Sequence, residues 1–519
     1  MTPARRLAAP NAGGRIVTSV AFAAATALAL SACAVGPDYK RPQTQLVPFH
    51  NLGPVADSQN GRQAPPLDIW WIGFRDPELV RIVQRALDQN LDLAAAFARV
   101  QQARGAAAGA GAALLPTVDL DGSATAERLS DEGQFGSYAR GFPGFNRDQR
   151  EYTLGAGASW EIDIFGGLRR GAAAARAEAL AAEADRTGVR ITVAADAADA
   201  YLQIRGLQAQ IRVTDDQIDT DTHLMRLTAL RRSAGEGTER EVAQAEALLR
   251  EAQAILPTLR IAIEAQMNRL DVLMGVQPGT YARELAVAGD IPAIPAIAGA
   301  DQATDMLRRR PDVIAAERRL AASNERIGEV VSDYYPKISL SGALGFDSLS
   351  ANHLFSAKAF QPIGSGALRW RLFDFGKVDA EVAQAKGAHA EALAQYRQSV
   401  LKAAEDVENS LMTLSQLQDR AQRLQAEVGA LERARLLSER AYKAGSITLT
   451  DVLDADRQLL IARNALDGTR ADAARAAVST YRALGGGWSG ARAFQAVAMN
   501  RERPPSVLPA PGPVASQQP

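Results

Sequence analysis

Cysteine occurs once in 519 residues, at Cys33. Neither an intrachain disulfide nor a cysteine-built metal site can therefore form within one chain. Histidine is nearly as scarce: His50, His223, His353 and His389 stand apart and show no metal-ligand spacing. Aromatics make up only 6% of the chain, and neither sign of charge dominates. The net charge is −1, which argues against a nucleic-acid partner, because such a partner calls for a strongly basic face. Mean hydropathy is −0.14, far below that of a chain with several transmembrane helices. Gly105, Gly109 and Gly111 are not a phosphate loop, since they lack the lysine and the strand–turn–helix context. The carboxylates spread along helical stretches as solvated faces. The expectation is a protein that is not an enzyme and uses no cofactor and no metal.

What the chain does have is abundant alanine with interspersed charge, a composition suited to long helices packed at close range. The N-terminus is also informative. Arg5, Arg6 and Arg15 accompany an apolar run from Ile16 to Leu30, so residues 1–32 read as a secretory signal peptide. The run ends in Leu30-Ser31-Ala32-Cys33, which resembles a bacterial lipobox. In such a motif the cysteine thiol is lipidated and becomes the mature N-terminus. The alternative is an ordinary signal with an incidental cysteine. Ala34, rather than Asp, follows Cys33, and by the lipoprotein sorting rule this favours export to the outer membrane. Residues 33–75 are then expected to be a lipidated, extended N-terminal segment.

A long internal repeat organises the rest. Pro116 and Val118-Asp-Leu-Asp-Gly122 match Pro336 and Ile338-Ser-Leu-Ser-Gly342, 220 residues on. Trp160 with Phe165-Gly166 matches Trp370 with Phe375-Gly376, 210 residues on. Ala234-Gly235 and Thr238 match Ala444-Gly445 and Thr448 at the same spacing. The first repeat takes residues 76–290 and the second 291–488, each a helix, two strands, a long helix, a turn and a return helix. The spacing changes once, so the first repeat carries ten more residues in its strand loop. Loops tolerate insertion where packed helices do not. The tail at 489–519 is expected to be flexible.

Residues 117–127 and 152–164 alternate between apolar and polar with period 2, a strand signal. Strands at 337–347 and 363–374 repeat it more weakly. About 9–11 residues, apolar on one face and polar on the other, suit a membrane barrel, with Trp160 and Trp370 at the membrane interface. The other reading is four half-buried strands of a soluble sheet. Four strands cannot close a membrane barrel, and an open edge is not viable in lipid. Strands in the membrane would therefore require several chains to share one barrel. The loop 130–150 carries Phe135, Tyr138, Phe142 and Phe145 and reads equally as an outer mouth or as plain exposed turns.

Residues 167–233 and 377–443 lack proline and predict two helices of roughly 100 Å at about 1.5 Å per residue. Ala194, Ala195 and Ala198 supply a small-residue seam. Glycine turns at Gly235 and Gly445 end these helices, and Thr238 and Thr448 are expected to cap return helices at 238–275 and 449–485. Pro257 is expected to break the first return helix midway, and Pro311 to restrict the start of another helix. Asp451 and Asp454, at i and i+3, share one helix face. They read either as an N-terminal pair favoured by the helix dipole or, in a symmetric oligomer, as rings of like charge.

Taken together these residues resemble the TolC-like outer-membrane efflux proteins, more closely the lipidated OprM/NodT-type branch. Carrying the resemblance are Cys33-Ala-Val-Gly-Pro-Asp-Tyr39, the Pro116 and Pro336 strand starts, the two Phe-Gly strand exits and the paired Gly-x-x-Thr-x-x-x-Val-x-x-Ala turns at 235–245 and 445–455. The resemblance implies a mainly α protein with membrane β: a homotrimer whose 12-stranded β-barrel, four strands per chain, continues into a periplasmic α-helical barrel. It implies outer-membrane lipid, a periplasmic adaptor (membrane fusion) protein and an inner-membrane pump of the RND type as partners. Asp451 and Asp454 would line the periplasmic aperture. Tyr442 would tie neighbouring hairpins together with Glu241 as its acidic partner, and Gly235, Thr238, Gly445 and Thr448 would face the adaptor. Ile447 departs from the pattern, because some members place an arginine there in the closing network.

Overall fold

The computed structural model describes residues 34–42, 49–51, 64–139, 141–297 and 308–489. The expected signal peptide, Cys33 and all but the first residue of the expected tail lie outside them. A 3-10 helix at Leu67–Phe74 precedes α1 (Pro77–Gln89) and α2 (Leu91–Ala112). Then come β1 (Thr117–Arg128), a short α3 (Gln134–Ala139), β2 (Asp148–Ile162), α4 (Gly167–Ser233), α5 (Glu239–Leu273) and the one-turn α6 (Ala282–Leu285). The second half holds α7 (Pro311–Val331), β3 (Lys337–Ser348), β4 (Phe360–Arg369), α8 (Lys377–Lys443) and α9 (Leu449–Ala483). The repeat is metrically strict. Helices α4 and α8 both have 67 residues, and α5 and α9 both have 35. No described helix is long and apolar enough to cross a membrane.

Two compact units divide the chain. The first comprises residues 1–43, 99–183 and 315–397. Its sheet is an antiparallel meander, ordered β1-β2-β3-β4, whose outer strands each have one unpaired edge. The faces are chemically distinct. Thr117 and Ser159, Ser123 and Thr153, and Ser341 and Ser365 join hydroxyls across the strands at 2.7–2.8 Å, all on one face. Val118, Leu120, Leu340 and Leu344 lie on the other face and are exposed. Strands β2 and β4 depart from the alternation, and β2 also ends at Ile162 rather than 164. Strand β2 starts at Asp148 rather than 152 because Arg128 of β1 gives it a partner there. Strand β4 runs 360–369 rather than 363–374: it gains Phe360 opposite Phe346 and stops where β3 runs out at Lys337. Alternation reads side chains, whereas strand ends follow backbone pairing.

In the same unit the motif after Cys33 is fastened to helices. Val35 donates its N–H to the Phe165 carbonyl at 3.0 Å. Arg170 bridges Asp38 at 3.0 Å and Glu325 at 2.9 Å, and Tyr39 donates to Glu317 at 2.8 Å. Gly36, at φ +95°, passes so close to Gly328 that an added Cβ would lie 2.5 Å from its Cα.

The second unit comprises residues 44–98, 184–314 and 398–519. Its core includes a segment expected to be extended. In the 3-10 helix at Leu67–Phe74, Trp70, Trp71 and Phe74 are buried, and the Trp70 ring stacks on Tyr481 of α9 at 5.3 Å and 7°. The apolar cluster, not local pattern, decides this conformation. Tyr481 donates to the Ala296 carbonyl at 2.6 Å. Asp76 caps α1 and accepts from the buried Tyr201 at 2.6 Å, and Arg205 donates to Tyr201 at 2.8 Å. The Ala194, Ala195 and Ala198 seam is buried. Gly206 of α4 approaches α9 so closely that an added Cβ would lie 2.4 Å from the Ala471 Cβ. Helix α5 is not broken at Pro257, contrary to the expectation from proline. Pro257 sits on the exposed face, where water can satisfy the freed carbonyl, while Leu249, Ala252, Met267 and Leu270 bury the opposite side.

Candidate functional site

The paired helix turns of the second unit gather most of the residues singled out above. At the first, Gly235 adopts φ +80°, and Glu236 returns its N–H to the Arg231 carbonyl at 2.9 Å. At the second, Gly445 adopts φ +75°, and Ser446 donates to the Ala441 carbonyl at 2.9 Å. Both are left-handed glycine stops that close the last carbonyls of a helix. Capping boxes then start the return helices. The Thr238 N–H donates to Glu241 Oε2 at 2.7 Å, and the Glu241 N–H to Thr238 Oγ1 at 3.3 Å. The Thr448 N–H and hydroxyl donate to Asp451 Oδ2 at 2.9 and 2.7 Å.

Glu241 and Asp451 are therefore engaged within their own turns. The Thr448 hydroxyl, then its N–H, hold the exposed Asp451 carboxyl below the usual carboxylate range, so it stays charged. Asp454 is exposed one turn on and accepts from Gln458 at 2.7 Å. Tyr442 is buried with Leu224, Leu449 and Val452, and Ile447, Leu227 and Leu453 pack against them. The Arg231 guanidinium lies 4.7 Å from the centre of the Tyr442 ring. Where an arginine would bring charge, Ile447 brings apolar contact to the same cluster.

Sequence reading missed a charged layer beneath the second turn. Asp456 of α9 is buried and accepts from Arg435 of α8 at 2.6 Å. Asp221 of α4 is buried and accepts from Gln217 at 2.8 Å, while its Oδ2 has no partner. Burial pushes the Asp221 carboxyl up to about 6, with the Asp456 charge adding to the rise. No signal distinguishes these aspartates in the sequence from the many solvated ones around them. Among the described residues, no group of three His, Cys, Asp or Glu is placed to hold a metal ion.

Trp160 and Trp370 lie in the first unit. Trp160 donates Nε1–H to the Leu114 carbonyl, and Trp370 to the Tyr334 carbonyl, each at 3.0 Å. Leu114 and Tyr334 stand 220 residues apart, so the repeat extends to individual hydrogen bonds. Trp160 lies in β2 opposite Leu340, two residues before the strand ends, and Trp370 lies one residue past β4; both are exposed. The 130–150 loop carries α3, and Phe135, Tyr138 and Phe142 remain exposed around it.

The outer membrane efflux protein family matches residues 82–276 and 303–486. The pyoverdine export outer membrane protein OpmQ of Pseudomonas aeruginosa is 33% identical over 82% of this chain and 88% of its own. Among solved structures, the outer-membrane channel OprN is 32% identical, with TM-score 0.80 over 88% of this chain and all of its own. The outer membrane protein VceC of Vibrio cholerae is 26% identical, with TM-score 0.73 over 82% of this chain and all of its own. The chain belongs to the outer membrane efflux protein family.

Proposed function

We propose that this chain is one protomer of the outer-membrane exit duct of a tripartite efflux system, and that it passively conducts small molecules and catalyses no reaction. The observation that carries this reading is the sheet. It has one hydroxyl-laced face, one apolar face and two open edges, and the repeat continues each strand pair into a 67-residue helix. Open edges are not viable in lipid, so three copies supply a 12-stranded barrel, and their helices form the duct across the periplasm. The relatives named above, a pyoverdine exporter and a channel, support the same reading.

Cys33 carries the lipid. In support, the chain immediately after it is fastened at Phe165-Gly166, next to the end of β2, where Trp160 and Trp370 mark the membrane interface. The turns at Gly235–Thr238 and Gly445–Thr448 face a periplasmic adaptor that joins the duct to an RND-type inner-membrane pump. Asp451 and Asp454 form the aperture's charged rings, since both are exposed and among the described residues neither carboxylate has an ion pair. Tyr442 and Glu241 are the hairpin-tip contacts of the gate, with Ile447 contributing apolar packing. The test is single-channel recording of the purified protein in planar bilayers, with opening of the aperture by the Asp451→Ala/Asp454→Ala pair. Stepwise conductance that rises or changes cation selectivity in the variant is expected. Silence of both proteins would overturn the duct reading.

A further inference from the structure

We infer that the open edge of β4 pairs with the open edge of β1 in a second copy of this chain, in one register that sets two arginines against two aspartates. The inference rests on the barrel reading above and adds its subunit joint. The internal repeat supplies the register. The β1–β2 partners Thr117 and Ser159 reappear, 220 and 210 residues on, as Lys337 and Arg369, which are partners in β3–β4. Sheet pairing therefore obeys the same two offsets as the sequence. The β2–β3 joint has no counterpart inside the chain; its counterpart is β4 against β1 of the next copy.

Moving each β2 residue forward by 210 and each β3 residue back by 220 carries that joint across. Trp160 opposite Leu340 becomes Trp370 opposite Leu120 of the partner subunit. Ser159 opposite Ser341 becomes Arg369 opposite Asp121 of the partner subunit. Glu161 opposite Ser339 becomes Arg371 opposite Asp119 of the partner subunit. Side-chain alternation allows only even shifts. A shift of two residues in either direction leaves just one arginine opposite an aspartate, so charge complementarity and the repeat select the same register.

The unpartnered state of these groups within one chain agrees. Among the described residues Asp119, Asp121 and Arg369 have no ion pair, and Arg369 stands directly opposite Lys337, a like charge. Arg371 reaches Glu381 only at 4.0 Å. Like charges opposite one another are unfavourable and opposite ones favourable across strands. The apolar flank repeats too. Phe165 stacks on Tyr335 at 4.6 Å, whereas the repeat counterparts, Phe375 and Leu115, are exposed at 103% and 64%. The joint brings Phe375 onto Leu115 of the partner subunit and extends β4 to Leu372, opposite Val118 of the partner subunit, completing the strand that alternation predicts to 374.

The test uses the full-length chain, extracted in detergent from outer membranes and oxidised. Ser365→Cys with Thr125→Cys reproduces the Gly155–Gly345 position of β2–β3, where an added Cβ on Gly155 would lie 3.0 Å from the Gly345 Cα. That approach suits a disulfide. Within one chain the two sites lie on opposite edges of the sheet, three strand spacings or about 14 Å apart across it and eight residues or about 27 Å apart along it, so a bridge must join two copies. Covalent dimers and trimers that reducing agent dissolves are expected for this pair, with the unmodified protein as control for Cys33. The same Ser365→Cys with Ser123→Cys or Glu127→Cys, shifted by two residues, should stay uncross-linked. As an independent readout, Arg369→Glu should lower the temperature at which the trimer dissociates, and adding Asp121→Arg should raise it again. A trimer that cross-links only through a shifted pair, or through none, with no rescue by the charge swap, overturns the register and leaves the duct reading standing. A particle that is monomeric without oxidant overturns the duct reading, and the register falls with it.

Discussion

Arg231, in the last turn of α4, holds its guanidinium 4.7 Å from the ring centre of Tyr442, in the last turn of α8. One cation on one ring thus joins the ends of the two long helices. The contact sits over an apolar cluster that includes Leu224, Leu449 and Ile447. Removing the ring should loosen both turns. Tyr442→Ala is expected to cost about 3–5 kcal/mol locally, and Arg231→Ala about 0.5–1 kcal/mol. Hydrogen exchange at the amides of 235–241 and 445–451 checks this. Exchange should speed up strongly in Tyr442→Ala, slightly in Arg231→Ala and hardly at all in Tyr442→Phe, which keeps the ring.

The two aspartates of the second turn should separate by role. Asp451 holds Thr448 through two hydrogen bonds, while Asp454 is held only by Gln458. Asp451→Ala should therefore both remove charge from the aperture and weaken the capping box that starts α9. Asp454→Ala should change cation selectivity while leaving thermal stability near that of the parent. Paired measurements of reversal potential and melting temperature test the distinction; equal stability loss in both variants would contradict it.

Acidity should act through Asp221. Its carboxyl is raised from 3.8 to about 6, so the folded state binds the proton more tightly than the unfolded one. The stabilisation from this group is complete below about pH 3.8 and is lost as pH rises through about 6. Gln217, Asp456, Arg435 and Glu251 are the groups that act on it. Asp221→Asn removes the cost of charging the site, so it should stabilise the fold above pH 6 by up to about 3 kcal/mol. It should also flatten the stability profile between pH 4 and 6. Denaturant unfolding across that range gives the answer, and an unchanged slope would refute the assignment.

Close packing of α4 on α9 should be intolerant of a single methyl. A Cβ on Gly206 would meet the Ala471 Cβ at 2.4 Å. Gly206→Ala should lose about 1–3 kcal/mol despite its better helix propensity. Adding Ala471→Gly should restore part of the loss, measured by thermal melts of the single and double variants.

Much of this architecture is legible in the sequence because the repeat is written twice. Strict spacing between Gly235 and Gly445, and between Thr238 and Thr448, fixes helix ends that a single copy leaves loose. Alternation places β1 and β3 within about a residue, since their partners lie inside the chain. What escaped reading depends on tertiary partners. Strand β4 ends at Arg369 because β3 has no further backbone to offer. Trp70 and Trp71 pack as a 3-10 helix because Tyr481, hundreds of residues away, provides the surface. Pro257 stays helical because its exposed side and buried flank are arranged by neighbouring helices. Asp221 and Asp456 look like surface carboxylates until α4, α8 and α9 bury them.

The central claim is that one chain is an incomplete channel, because β1 and β4 each leave an edge unpaired. Native mass measurement of the detergent-extracted particle tests it most directly. The account predicts a single species containing three copies of the chain. A species containing one copy, still folded and with both sheet edges intact, would contradict it.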